Sequence, residues 1–257
     1  MSGPSRTAQA VAAWRAELER PHSPEGDPDA QRRLCQGMPL IRQRELQAHL
    51  AARTRFFDER VLEAIEGGTQ QVVVVGAGYD DRALRFRAPG VRFFEVDQGA
   101  TQADKRARLG SIGAQTDGLT LVQADLQRDD LAAALAAGGH DAGRPSLFLC
   151  EGLLVYLDEP TTVRVLASLA TAAHAGSTLA ASLAVHADTP PSAAVVAYAN
   201  SRRRAAASEP WRTILPAAAY LDLLARSGWR AISTVDDSDL DPGAPAGRSL
   251  LVTARPA

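Results

Sequence analysis

Lysine is almost absent from this chain of 257 residues: Lys105 is the only one among 28 basic side chains, the rest being arginine. With alanine so abundant, that bias reads as a codon preference and assigns no function. Cysteine is scarce too. Cys35 and Cys150 stand far apart, which excludes a disulfide framework and gives no paired spacing for zinc, so no metal is expected. Charge of either sign is not in excess, at a net −2, and the basic stripe that marks a nucleic-acid binder is missing. No run of about 18 apolar residues appears, and "MSGPSRTAQAVAAWRAELERP" lacks the charged region and apolar core of a leader. These absences together predict a cytoplasmic protein with neither a membrane nor a nucleic-acid partner.

What is present suits one α/β domain, with 46% hydrophobic residues to fill its core. Helical spacing over residues 7–19 gives way to the proline-broken "PHSPEGDPDA", and apolar residues then recur at threes and fours from 29 to 67 with an interruption near Pro39. Residues 1–68 therefore read as a helical extension. From there β-branched runs alternate with helical patterns: strands at 71–75, 91–96, 119–123, 146–150 and 177–184, with helices near 80–86, 99–109, 129–137 and 159–174 between them. Such alternation predicts a Rossmann-like parallel sheet with crossover helices over 70–185. An Ala-rich helical stretch near 190–207, a helix at 216–227 and strands near 229–235 and 248–254 complete the chain.

Ligands of such sheets bind beyond the carboxyl ends of the strands, and the turn after the first strand is the usual entry point. Here that turn is "VVVVGAGYDDR", with Gly76 and Gly78 where a Cβ would obstruct close approach. A dinucleotide fingerprint asks for a third glycine; this register supplies Asp81, an acid expected to repel phosphates. Three more strand ends carry polar groups. "FFEVD" ends in Asp97, 19 residues beyond Gly78, where a carboxylate accepts both hydroxyls of a ribose. "VQADL" sets Asp125 and Leu126 for an adenine ring, and "LFLCEGLLVYL" places Glu151 and Tyr156 after the fourth strand. Each acid alone is as readily a helix cap or a solvated turn residue. Their recurrence on one rim favours a site for an adenosine-containing ligand.

The blocks "ARTRFFDERVLEAI", "QVVVVGAGYDDRALRF", "FFEVDQGATQADKRARL", "QADL" and "LFLCEGLLVYLDEP" resemble, in order and separation, the leucine carboxyl methyltransferase family, the likeness running from about residue 27 to "RSGW". The resemblance implies a class I fold that uses S-adenosylmethionine (SAM) and releases S-adenosylhomocysteine (SAH). It implies a seven-stranded sheet with an antiparallel last strand, helices on both faces, and a helical lid over residues 186–215. It also implies that Arg53, or its neighbour Arg55, binds the SAM carboxylate with help from Arg15, that Gly76, Gly78 and Asp97 hold the ribose side, that Asp125 and Leu126 hold adenine, and that Glu151 completes the site. Family members commonly carry Thr after the acid where this chain reads "GAGYDDR".

Methyl transfer needs a nucleophile held against the sulfonium methyl, a positioning effect worth rate factors of about 10⁵ or more. A carboxylate, with a pKa near ~4, arrives already ionised, whereas a phenol near ~10 calls for a base. Of five histidines, His22, His49, His140 and His174 fall away from the rim, and His186 after the fifth strand is the one base candidate. Absence of a convincing base suits ester formation on a small carboxylic acid, a polyketide or peptide-derived metabolite. A hydroxyl acceptor, or a protein C-terminal carboxylate, is the alternative; an NAD-dependent oxidoreductase or a silent SAM-binding protein is more distant. For the acceptor, "YANSRRRAAASEPW" offers Tyr198, Arg202, Arg203 and Arg204, with Arg203 and Tyr156 as candidate active-site groups. Three adjacent arginines cannot share one helix face, so most are expected in solvent. Trp14 and Trp211 are candidate pocket walls, while Trp229 reads as packing. The sequence does not disclose an oligomeric state.

Overall fold

The computed structural model describes residues 3–39, 44–185, 210–236 and 249–257. Helices α1 (Arg6–Arg15), α2 (Ala30–Leu34) and α3 (Arg44–Glu66) precede the sheet. Strands β1 (Gln71–Val75), β2 (Arg92–Asp97), β3 (Leu119–Gln123), β4 (Ser146–Cys150) and β5 (Thr178–Ala184) alternate with α4 (Arg82–Arg85), α5 (Gly99–Ser111), α6 (Leu131–Ala137) and α7 (Glu159–Thr171). Helix α8 (Ala217–Arg226), β6 (Trp229–Asp236) and β7 (Ser249–Pro256) come after them. The strand order is β3-β2-β1-β4-β5-β7-β6. β1 to β5 run parallel, and β7 is antiparallel to both β5 and β6 between which it lies. This is the class I methyltransferase arrangement, a seven-stranded mixed sheet with helices on both faces. Among the described residues no helix is long and apolar enough to cross a membrane.

The central strands are continuous apolar runs because both of their faces are covered. Val73, Val75, Phe94, Phe148 and Cys150 point to one side, against Leu131 and Leu135 of α6, Val165 and Leu169 of α7, and Leu223 and Leu224 of α8. Alternate residues Val72, Val74, Phe93, Leu147 and Leu149 meet Phe56, Phe57 and Val61 of α3 on the other. Ala12, Ala13, Leu34, Tyr79, Leu84 and Leu109 form a smaller core that binds α1 and α2 over α4 and α5. Helix α1 ends at Arg15 rather than 19, since the chain must turn there to carry Arg20 inward beside Asp58. The expected lid helix near 190–207 lies outside the described residues.

Capping follows the sequence closely. Ser5, Asp130 and Asp158 each accept from a backbone N–H in the first turn of α1, α6 and α7, stabilising each end by about 1 kcal/mol. Trp229 opens β6 fully buried, with its indole N–H donated to the Leu166 carbonyl at 2.8 Å, so it is packing, as its position after Gly228 predicts.

Candidate functional site

The rim formed by the carboxyl ends of β1, β2 and β4 is where the predicted residues meet. Gly76 and Gly78 both have positive φ, +66° and +53°, which side-chain-bearing residues rarely adopt. Space forbids a side chain as well: a Cβ on Gly78 would come within 2.8 Å of the Ala8 Cβ, and one on Gly76 within 2.7 Å of Leu153 Cδ1. The Gly78 N–H donates to Asp97 Oδ2 at 2.6 Å and the Gln98 N–H to Oδ1 at 2.7 Å. The backbone therefore aims the Asp97 carboxylate.

At the end of β3, Asp125 is drawn into its own turn. Its Oδ1 accepts from the Gln127 N–H at 3.0 Å, and its backbone N–H donates to Asp129 Oδ2 at 2.7 Å. Leu126 is buried in the main core beneath it, its carbonyl accepting from Arg164 Nη2 at 2.7 Å. Both stand on the rim, and Asp125 remains partly exposed.

The β4 side is different in kind. Glu151 lies under three guanidiniums: Arg15 Nη2 at 2.5 Å and Arg53 Nε at 3.1 Å on Oε1, Arg82 Nη1 at 2.8 Å on Oε2. Arg82 also holds Asp80 at 2.5 Å and Asp58 at 2.7 Å, and Arg15 reaches Asp80 at 3.3 Å. Arg20 forks onto Asp58 and reaches Asp81 at 2.6 Å, which Arg85 holds from its other side at 2.7 Å. Burial disfavours these charges, yet Arg15, Arg82 and Arg53 keep the Glu151 carboxyl well below the usual carboxylate range. Arg20 and Arg85 do the same for Asp81, again against the penalty of burial.

This cluster joins five arginines to four carboxylates, Asp58, Asp80, Asp81 and Glu151, so it carries one positive charge in excess. Arg53 is its outermost member. Its side chain is the most exposed of the nine, at 12%, and its hydrogen bond to Glu151 uses Nε. Both Nη atoms border Gly152, where a Cβ would stand 3.2–3.3 Å away. Burial, aided by Arg15, lowers the Arg53 pKa against the opposing pull of Glu151. Arg55, two residues along α3 and so on a different face, is exposed.

The profile of the family described as leucine carboxyl methyltransferase matches residues 8–170. The chain belongs to that family. The match begins inside α1, earlier than the sequence blocks suggest, and stops in α7, before the C-terminal ones. A Streptomyces avermitilis protein named as an S-adenosyl-L-methionine-dependent methyltransferase is 38% identical over 199 residues, covering 71% of this chain and 70% of that one. A Mycobacterium avium protein of the same name is 38% identical over 144 residues, 55% of this chain and 47% of its own. The chain thus spans about half the length of most curated relatives it matches. Among solved structures, a methyltransferase-described protein of Thermobifida fusca superposes with a TM-score of 0.64 at 17% identity, covering 99% of this chain and 95% of that one. Mitomycin 7-O-methyltransferase does so at 0.53 and 18%, covering 84% and 59%. At such identities the likeness is one of fold.

Within this family member the structure brings Arg15, Arg53, Gly76, Gly78, Asp97 and Glu151 to one rim. Tyr156 closes the 3₁₀ turn Leu154–Tyr156 after β4, half-buried and close enough to Arg53 to be felt by it. Two sequence readings change. Asp81 does not face the mouth, because both its oxygens are spent on Arg20 and Arg85 and it is fully buried. Its neighbour Asp80 is spent in the same way, Oδ1 accepting from the Arg82 N–H at 2.8 Å and Oδ2 facing the Arg82 and Arg15 guanidiniums. Trp14 is no pocket wall, since it is buried against Leu50. Trp211 is half-buried in a segment pinned to the β4 turn by Arg212 N–H and Thr213 N–H, both donated to the Val155 carbonyl at 2.7 and 3.2 Å.

His186, Tyr198, Arg202, Arg203 and Arg204 fall outside the described residues. Of the remaining histidines, His140 lies at 2.9 Å from Ser146 Oγ at the amino end of β4, and His174 accepts from the Gly176 N–H, so neither reaches the rim. The sequence reading missed Arg20, Asp58, Asp80, Arg82 and Arg85. A signal existed in α3: Asp58 shares the buried stripe of Thr54, Phe57 and Val61, and a carboxylate at helical spacing on an apolar face requires a buried cation.

Proposed function

We propose that this chain is a SAM-dependent O-methyltransferase acting on a small molecule. The observation that carries the reading is the pairing of two opposite groups across the glycine turn: the Asp97 carboxylate aimed by two backbone N–H groups, and the Arg53 guanidinium left in excess beside Gly152. Asp97 would take the ribose hydroxyls and Arg53 the amino-acid carboxylate, the division of labour that adenosine joined to methionine needs. Leu126 and Asp125 would border the adenine, while Arg15 and Arg82 hold Glu151 and so set the position of Arg53. The missing third glycine of the turn favours a phosphate-free cofactor over a dinucleotide.

Bound there, SAM supplies a sulfonium methyl, which an acceptor oxygen takes in line while the C–S electrons remain on sulfur. The chain's task is to hold that oxygen at the β4 side of the rim, where Tyr156 and the Trp211 segment stand. A carboxylate acceptor loses no proton and needs no base. A hydroxyl acceptor, the chemistry named for the mitomycin enzyme of like fold, must surrender its proton, and His186 or Tyr156 would have to receive it.

Incubating the protein with methyl-labelled SAM and a small-molecule extract of its own organism tests the proposal. Label is expected in the small-molecule fraction; label confined to protein would contradict it. Alkali then separates the acceptors, since an ester releases labelled methanol and an ether does not.

A further inference from the structure

The only lysine of the chain is buried on a helix face. On α5 the buried face runs through Thr101, Gln102, Lys105 and Leu109, and Lys105 is 1% exposed. Its ammonium donates to the Asp80 backbone carbonyl at 2.7 Å and pairs with Glu95 Oε2. One turn earlier, Gln102 donates to the carbonyl of Glu95 itself at 2.7 Å. Glu95 precedes Asp97 by two residues on β2, and successive side chains of a strand alternate, so the two carboxylates share a face.

Lys105 therefore ties the end of β2 to the far end of the loop that begins at Gly76. The near part of that loop is tied to the same strand by the Gly78 N–H on Asp97 and the Ala77 N–H on the Val96 carbonyl. Apolar side chains would fill this space at lower cost, because a buried ion pair seldom adds net stability. Glu95 shows that cost: its Oε1 is buried without a hydrogen-bond partner. The charged groups facing it are Lys105 from α5, Asp80 from the loop after β1 and Asp97 from its own strand. The Glu95 carboxyl stands at about 7, pushed up by burial and by the two aspartates and pulled down by Lys105.

Resting on the cofactor reading above, we infer that Lys105 and Glu95 are positioning residues of the SAM site. The ion pair fixes the Asp80 carbonyl, and with it the Gly76–Asp81 loop, at the separation from Asp97 that ribose binding requires; protonating Glu95 loosens the loop. Neither residue touches the cofactor, so their effect is on its affinity and on the pH at which that affinity is lost.

The test is SAH affinity by calorimetry on the full chain from about pH 6 to about pH 8.5, for the unaltered protein, Glu95→Gln, Lys105→Met and Asp97→Asn, with thermal melts of each without ligand. The unaltered protein should lose about tenfold in affinity toward the acid end, while Glu95→Gln binds weakly throughout with a flat profile, the difference between the two cancelling any titration of the ligand. Lys105→Met should match Glu95→Gln. A Glu95→Gln protein with full affinity and an unchanged slope would overturn the inference, as would a change in melting temperature with no change in either profile. If Glu95→Gln does not fold, a flat profile for the unaltered protein overturns it equally. Undiminished SAH affinity in Asp97→Asn would instead overturn the cofactor reading itself.

Discussion

The two ends of the strand rim are built by opposite means. On the β2–β3 side, Asp97 and Asp125 are aimed by backbone N–H groups from their own turns or, for Gly78, from the adjacent loop. On the β4 side, Arg15, Arg53, Arg82 and Glu151 are aimed by one another, Arg82 and Arg53 reaching Glu151 across sequence separations of 69 and 98 residues. A backbone-aimed carboxylate keeps its place when a neighbour changes. A side chain aimed by other buried charges does not, so changes in the β4 cluster are expected to reach the fold more than changes at Asp97 or Asp125.

The sharpest way to break that contrast is to remove the hub. Arg82 is fully buried between Asp58, Asp80 and Glu151, so Arg82→Met leaves three carboxylates short of a cation. The expected result is a loss of about 3–5 kcal/mol, or roughly 10 °C in melting temperature for a chain of this size, read by calorimetry. A melting point within about 2 °C of the parent would mean that the cluster tolerates the vacancy and the two sides do not differ in kind.

Substitutions on the other side should spare the fold and differ from each other. Asp97→Asn is expected to weaken SAH binding about tenfold or more, through loss of the proposed charge-assisted contact to the ribose, with little change in melting. Asp125→Ala should cost less than about threefold, because its carboxylate is half-engaged in a local turn and open to water. Equal losses from the two would place adenine recognition on Asp125 as firmly as ribose recognition on Asp97.

The same contrast explains how far the sequence could be read. Periodicity located each described strand within a residue or two, because β1 and β4 are buried on both faces and α7 and α8 on one, which writes the pattern directly into residue type. Gly76, Gly78 and Asp97 were legible for the same reason: a turn with positive φ demands glycine, and the carboxyl end of a parallel strand points its last residues at the rim. The arginine cluster was not. Arg20 looks like any loop arginine until the chain turns after α1, and Asp81 looks like an exposed acid at the mouth until Arg20 and Arg85 close on it.

The claim that binds these parts together is that Arg53 is the uncompensated cation of the cluster and holds the carboxylate of the cofactor. Comparing SAH with 5′-methylthioadenosine, which lacks the amino acid, in the parent and in Arg53→Met tests it most directly. The parent should prefer SAH by about 10- to 100-fold, and Arg53→Met should lose that preference while keeping its affinity for methylthioadenosine. A variant that retains the preference would contradict the account, and would send the search for the carboxylate's partner to another residue of the rim.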